Sequence, residues 1–527
     1  MTGHGPISSN FGELALVAAT LYPEKPALVQ DDVSLTYGAL EERTRRAASL
    51  FASLGVGPGV AVVLLFPNDW RFAECLLGVL RAGAVAVPAN IKLGADTLAY
   101  LAGHSEATVL VVHESLLDKA LEVLKSAPTI RHTLVVGGDA PFAVAYDEAL
   151  AQTSPEFATV AVEPDTLALL MYTSGSTGVP KGCMLSHANK WFQARSSARV
   201  MLHDEHDRAL VMGPLYHANA FWACMLPMLF VGGSLVILPG FDPVPVLQAI
   251  DAHRPTYTSG TPSMFSLLLE ERDALAALDV SSIELLLCGS ALVPEELMSA
   301  LTAQFDCDVV ESYGLTEGGA NVVTPRWGIK KLGSTGLPVP GVEIRVIDVD
   351  DPDRDCPPGE VGELWSKSPA NALGYFKDPQ TTTAKFTPDG WLKTGDLVRR
   401  DEQGYVYIAG RRDDMINCGG ENVYPKEVET ILLQHPSVAD VCVVPAAHSV
   451  KGQAPVAWVV PRGSSVTEQE IKDFFLQRGP AYAHPRRVFF LDKLPLSSTN
   501  KLDRGKLEAD VRELLPRGLG SNRATRD

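Results

Sequence analysis

Thr173-Ser174-Gly175-Ser176-Thr177-Gly178-Val179-Pro180-Lys181-Gly182 is the stretch whose reading decides the rest of this chain. An apolar run, Leu167 to Met171, leads into it. Its glycines allow backbone N–H groups to turn toward an anion. Its hydroxyl residues can donate to phosphate oxygens, and Lys181 adds a cation. It is not a Walker loop, because Lys181 is followed by Gly182 and not by Ser or Thr. A shorter fragment would read as a plain Ser/Gly loop; ten suitable residues in a row weigh against that.

Working outward, helical and strand patterns alternate. Leu40, Ala47, Leu50 and Leu54 recur at helical spacing, with Glu41, Glu42, Arg45 and Arg46 on the other face. Short apolar runs at Val60 to Phe66, Ala84 to Pro88 and Thr108 to Val112 are each about one buried strand long. The rhythm returns at Ala209 to Met212, Ser234 to Leu238 and Ile283 to Cys288. Strands alternating with helices predict βαβ units and mostly parallel sheets. From about Val342 short strands and turns suggest a smaller β subdomain, and after Arg412 a compact α+β pattern follows. The last dozen residues are polar and Gly-rich and predict a frayed tail.

The chain has 527 residues, too many for one core, which implies at least two domains. Its formal charge of -18 argues against nucleic-acid binding, because a phosphate backbone would be repelled. Anionic ligands must therefore be met by local cations and N–H groups. The eight cysteines show no C-x-x-C pair and read as reduced and mostly buried, which fits the cytoplasm. No signal peptide is visible at Met1 to Asn10, and the apolar stretch Ala220 to Val236 is too interrupted to span a membrane. His203-Asp204-Glu205-His206-Asp207 has a metal-like composition but unconvincing spacing, and reads as a solvated connection. No G-x-S-x-G occurs, which disfavours a serine hydrolase.

The segment Thr173 to Gly182 resembles the phosphate loop of the adenylate-forming (AMP-binding) superfamily, which contains acyl-coenzyme A ligases, peptide-synthetase adenylation domains and beetle luciferases. The resemblance runs from about Leu35 to Leu514. It implies an α/β fold: a large N-terminal domain of two α/β sheets plus a β subdomain, with a small mobile C-terminal α+β domain. The implied boundaries are 1–412, 413–515 and a flexible tail over 516–527.

Residue by residue, the resemblance implies ATP binding by Thr173, Ser174, Gly175, Ser176, Thr177, Gly178 and Lys181. Gly289-Ser290-Ala291 matches the segment beside adenine and substrate, and Glu311-Ser312-Tyr313-Gly314 with Leu315-Thr316-Glu317 matches the nucleotide motif. There Tyr313 offers a flat face to adenine, Thr316 a phosphate donor, and Glu317 an oxygen ligand to Mg2+. Asp396 matches the ribose-binding position and Arg411 a further nucleotide contact. Lys501, in Leu496-Ser497-Ser498-Thr499-Asn500-Lys501, matches the catalytic lysine, with Asn500 where the family usually has Gly. Asn tolerates left-handed backbone angles, so the loop shape can survive. Asp413 matches the hinge, and Gly419-Gly420-Glu421 the coenzyme A channel.

Pro214-Leu215-Tyr216-His217 matches the acyl-site segment, with His217 a candidate gate for the carboxylate. The small and bulky residues that follow, Ala218 to Trp222, suggest a mainly apolar pocket. No Arg or Lys there stands out for a second carboxylate. Where related ligases carry basic residues toward coenzyme A phosphates, this chain has Ala483 and His484; Arg486, Arg487 and Lys451 are the replacements.

The implied function is an AMP-forming acyl-coenzyme A ligase, with ATP, Mg2+ and coenzyme A as cofactors and substrates, a small carboxylic acid as partner, and a homodimer as a further expectation. The Gly-Gly-Glu segment points to the fatty-acyl or aryl type. Two alternatives stand beside it: an enzyme that passes its acyl group to a carrier-protein pantetheine, or oxidises it as luciferases do, and a non-catalytic nucleotide-binding relative.

Overall fold

The computed structural model describes residues 8–174, 179–290, 293–419, 421–463, 466–496 and 502–520. The fold is mixed α/β, with a large N-terminal part built on two sheets and a smaller C-terminal part. Two compact units are formed, 1–344 with 365–393, and 345–364 with 394–527.

The first unit holds a nine-stranded and an eight-stranded sheet. In the nine-stranded sheet the parallel strands Asp308–Leu315, Leu285–Gly289, Tyr257–Gly260, Arg208–Val211, Ser234–Ile237 and Pro26–Gln30 lie in that order. In the eight-stranded sheet Leu167–Ser174, Val85–Pro88, Ala61–Leu65, Val109–His113 and His132–Val136 run parallel. Those strands are near-continuous Val/Leu/Ala because helices cover both faces. The expected strands and helices therefore form, with ends shifted by a few residues.

Local chemistry sets the covering helices. Helix Tyr37–Ser53 starts where Thr36 accepts from the Ala39 N–H at 3.2 Å. Leu40, Ala47 and Leu50 are buried, while Arg45–Glu41 (2.8 Å) and Arg46–Glu42 (2.9 Å) lie on the outer face. Helix His187–Met201 follows the decisive stretch directly and opens with a reciprocal cap between Ser186 and Asn189. Asn189 also donates to the Pro369 and Asn371 carbonyls at 2.7 and 2.9 Å.

The strands Glu343–Ile347, Val361–Lys367, Leu392–Arg400 and Val406–Arg411 form a four-stranded sheet, the expected β subdomain. Further along, Val438–His448 and Gly452–Pro461 pair along their whole length, with helices Pro425–Leu433, Glu468–Leu476 and Arg504–Leu514 beside them. Arg504 anchors this part: its guanidinium donates to both Glu429 oxygens (2.7 and 2.9 Å) and to the Val443 carbonyl (2.7 Å).

Two expectations are corrected. The stretch Pro516 to Gly520 is not frayed: Leu519 pairs with His448, donating to the Ala447 carbonyl and accepting from Ser449. Backbone pairing outweighs its polar composition. The His203–Asp207 connection is not simply solvated. His203 is buried, its ring edge-on to Tyr257 at 4.6 Å, with Nδ1 3.1 Å from Asp207. Burial works against the Asp207 charge, but hydrogen bonds from His203 and Thr256 outweigh it and hold the carboxyl at about 2. His206 alone points to solvent. All eight cysteines are free thiols, and only Cys307 is not buried.

Arg504→Met would leave Glu429, 4% exposed, without its counter-charge. The expected loss is about 3–5 kcal/mol of stability, read as an earlier urea transition. Arg504→Met/Glu429→Leu should recover most of it.

Candidate functional site

In the first unit the phosphate-loop candidate is the tip of a hairpin. Leu167–Ser174 pairs antiparallel with Pro180–Ser186, with Thr173 opposite Lys181 and Tyr172 opposite Gly182. Gly175, Ser176, Thr177 and Gly178 lie outside the described residues. Gly182 is required at its place, since a Cβ there would stand 3.2 Å from the Tyr172 ring. Tyr172 is in turn held by His104, Nδ1 to hydroxyl 2.8 Å.

Lys181 does not dangle. Its Nζ donates to the Thr381 hydroxyl at 3.0 Å, stands 3.9 Å from Asp378, and lies 5.9 Å from the Tyr375 ring centre. The Tyr375 hydroxyl donates to Glu317 Oε1 at 2.6 Å. Burial first, and then the Glu317 charge, push the Tyr375 phenol far up, so it remains a donor. Tyr375 reaches this place because Gly374–Tyr375 pairs with Met184 and Cys183 on the sheet edge.

Thr316 and Glu317 occupy the tip of a second hairpin, Asp308–Leu315 with Gly319–Val323. Three residues, Thr316 to Gly318, make the turn, and Gly319 has φ +68°. That is a three-residue loop closed by a left-handed residue. Gly314 allows the strands to meet, since a Cβ there would stand 2.4 Å from the Gly319 carbonyl oxygen. Glu311, lower in the strand, is buried and accepts from the Thr335 hydroxyl at 3.0 Å.

Beside this hairpin Gly289 pairs with Ser312, so close that a Cβ would meet the Ser312 carbonyl at 2.9 Å. Ser290 then adopts φ +67°, a conformation costly for a residue with a Cβ. Its hydroxyl accepts from Asn219 at 3.1 Å, and Asn219 accepts from Ser259 at 2.7 Å. His217 caps the turn that carries Asn219, Nδ1 to N–H 3.5 Å. His217, Asn219 and Ser290 thus form one connected group. Ala291 lies outside the described residues.

The second unit groups the remaining candidates. Asp396 and Arg411 are directly opposite on antiparallel strands, Nε to Oδ1 3.5 Å. Glu363, 5% exposed, accepts from the Gly395 N–H and from Arg412, both at 3.0 Å. Arg412 also donates to the Val349 carbonyl at 3.1 Å. Asp413 comes next, exposed, and then Asp414, 3.9 Å from Arg504. Gly419 (φ +72°) opens the turn between Ile416–Cys418 and Glu421–Val423, its N–H donating to the Lys451 carbonyl at 3.0 Å. Gly420 and Lys501 lie outside the described residues. The flanks of Lys501 are described: Leu496 pairs with Leu502, and Asp503 caps the helix from Arg504. The Arg486 guanidinium lies on His484, whose pKa is lowered by burial and by Arg486, Lys472 and Lys451.

Sequence reading missed Tyr375, Thr381 and Asp378 and gave Asn219 no role of its own. No local signal marks them: each acts through a partner 40 to 200 residues away.

Residues 17–376 match the AMP-binding enzyme family, and residues 427–501 match the AMP-binding enzyme C-terminal domain. The chain belongs to the AMP-binding enzyme family. It is 34% identical over 504 residues to a feruloyl-CoA synthase of Amycolatopsis sp, covering 95% of this chain and 99% of that one. It is 33% identical over 492 residues to a 2-succinylbenzoate–CoA ligase of Bacillus licheniformis, covering 93% and 98%. Among solved structures it resembles an anthranilate CoA ligase in complex with anthranoyl-AMP, with TM-score 0.90, 26% identity and 97% and 99% coverage. Within its family this chain is an AMP-forming acid–thiol ligase, joining a carboxylic acid to coenzyme A. Among the described residues, no helix is long and apolar enough to cross a membrane.

Tyr375→Phe removes the donor that positions Glu317. Adenylate formation, measured as ATP–pyrophosphate exchange, is expected to fall about tenfold with an unchanged melting transition.

Proposed function

We propose that this ligase works in two half-reactions shared between two sets of residues, and that its site residues are those named above. The observation that carries the reading is the meeting of Lys181, Tyr375 and Glu317 beside two glycine-built hairpin tips. In the first half-reaction a carboxylate oxygen attacks the α-phosphorus of ATP, and the bond to the β-phosphate oxygen breaks, releasing pyrophosphate. Thr173, Lys181 and the hairpin N–H groups hold the departing phosphates, and Thr316 donates to the α-phosphate. Tyr313, Gly289 and Ser290 flank the adenine, Asp396 and Arg411 take the ribose and its phosphate side, and His217 borders the carboxylate. Lys501 stands between the two anions as they meet and stabilises the charge that develops.

Glu317 fits a divalent cation: it is a single carboxylate, oriented by Tyr375, with phosphate oxygens to complete the shell, as Mg2+ prefers. Mg2+ bound there would neutralise phosphate charge. In the second half-reaction the coenzyme A sulfur attacks the acyl carbon, the bond to the AMP oxygen breaks, and the thiol proton leaves. Gly419, Gly420 and Glu421 would border the pantetheine, and Lys451 and Arg486 would meet its phosphates. Arg487 is less suited, being 3.2 Å from Glu468.

The switch between the halves is a rotation at Asp413, between domains 1–412 and 413–515. Support comes from its neighbours: Glu363 clamps Arg412, while Arg504 holds Glu429 and stands near Asp414. Arg504 is three residues past Lys501, so the same clamp carries the lysine loop. Eight reduced thiols favour a cytoplasmic setting.

Lys501→Ala should lose adenylation by on the order of a hundredfold or more and spare thioester formation from supplied acyl-adenylate. Asp413→Pro and Gly420→Leu should do the reverse. Equal losses in both assays for Lys501→Ala, in folded protein, would defeat the two-conformation reading. Lys451→Ala/Arg486→Ala should raise KM for coenzyme A about tenfold or more, since two charge-assisted contacts are lost, and leave pyrophosphate exchange within a factor of two; unchanged KM would remove these residues from the coenzyme A site.

A further inference from the structure

Helix His187–Met201 turns two polar side chains inward. Lys190 is 0% exposed and Gln193 5%. The Lys190 Nζ donates to Gln193 Oε1 at 2.5 Å and lies 4.7 Å from the Trp222 ring centre. Trp222 belongs to a single π-helical turn, Phe221–Met225, that follows the His217 group. Such turns interrupt a helix and re-aim its side chains. Gln193 lies against Gly319, whose Cβ would stand 2.5 Å from Gln193 Nε2. Asn321, 0% exposed, is two residues further along the same strand, on the face that Gly319 turns toward Gln193. The four side chains thus come from the acyl-site segment, the helix after the phosphate loop, and the strand after Glu317.

This cluster is rich in unspent donors. Among the described residues Gln193 Nε2, Trp222 Nε1 and both polar atoms of the Asn321 amide are buried without a hydrogen-bond partner. Lys190 has no carboxylate in contact; its neighbours are an amide, an indole face and the Cys183 thiol. Leaving buried donors unmade costs about 1–3 kcal/mol each, more for a charged group. Burial accordingly pulls the Lys190 ammonium down to about 7, against a small opposing effect of Cys183. An apolar acyl chain would need none of this.

We infer that Lys190, with Gln193, Trp222 and Asn321, forms a specificity pocket for an anionic oxygen on the substrate remote from its reacting carboxyl. The substrate class is then a carboxylic acid bearing a second carboxylate, and not a plain fatty acid. This rests on the ligase reading above and revises the expectation of a mainly apolar pocket. The sequence hid it because Lys190 lies outside the acyl-site segment, on a helix where a lysine normally faces solvent.

The test is pyrophosphate exchange and thioester formation with matched acids: octanoate against octanedioate, and 3-phenylpropanoate against its ortho-, meta- and para-carboxylated and hydroxylated derivatives. At least one dicarboxylate should exceed its plain partner in kcat/KM on the order of 100-fold or more, as expected where buried donors would otherwise stay unpaired. Lys190→Met should bring that ratio below tenfold. Gln193→Leu, which keeps the lysine, should lower it less, and serves if Lys190→Met does not fold. Equal use of plain and carboxylated acids by the wild-type enzyme overturns the inference while the ligase reading stands; the cluster would then hold only water. A preference for hydroxylated over carboxylated acids overturns the anionic assignment. No exchange with any acid overturns the ligase reading, and this inference with it.

Discussion

Two anions must be brought into bonding distance inside an acidic protein. A carboxylate that attacks a triphosphate meets repulsion at every step of approach, and a chain with formal charge -18 adds to it. The answer is local. Glycine-built hairpin tips expose N–H groups where side chains would intrude, and a few cations are held in fixed places. Lys181 shows how: a loose lysine would spend its charge on the nearest solvent ion, but Thr381, Asp378 and the Tyr375 ring hold it at the edge of the sheet. Glu317 is the apparent contradiction, a third negative group in the same neighbourhood. Its hydrogen bond from Tyr375 and its place on a tight turn make sense if a divalent cation stands between it and the phosphates.

Glycine chemistry was the most legible part of the sequence, because it is local. A strand followed by Gly-rich turns implies close backbone approach whatever the tertiary setting, and Gly182, Gly289 and Gly314 all sit where a Cβ would collide. The strands were legible because burial on both faces leaves little but Val, Leu and Ala. What the sequence concealed depends on distant partners. Tyr375 finds Glu317 only because a two-residue strand adds to the edge of the eight-stranded sheet. His203 is buried because Tyr257, more than fifty residues away, supplies the surface for its ring. Leu519 is ordered by Ala447 and Ser449. Polar composition predicts solvent exposure only when nothing distant offers a partner.

Lys190 extends the same point to energetics. A lysine and a glutamine on the inner face of a helix weaken the core they enter, since apolar residues of similar volume would pack there without desolvation cost. The fold keeps them beside a π-helical turn and an unpartnered Asn321, so three elements each carry a local liability at one spot. Liabilities that coincide in space and share a chemistry, here a surplus of donors, are better explained by a common ligand than by separate accidents of packing.

A rotation about one residue is useful only if the neighbours on each side cannot absorb it. Arg412 is tied through Glu363 to the backbone of Gly395 and through Val349 to the β subdomain. On the other side Asp414 stands beside Arg504, whose fork is locked onto buried Glu429. Asp413 is the residue left between these two anchored neighbours. A change of φ and ψ there must appear as displacement of everything beyond it, and not as local slack. Because Arg504 joins the Glu429 helix to the base of the loop that bears Lys501, that loop must travel as a unit with the domain. One buried ion pair therefore does two jobs: it stabilises the small domain, and it makes the position of the lysine a function of a single backbone angle pair.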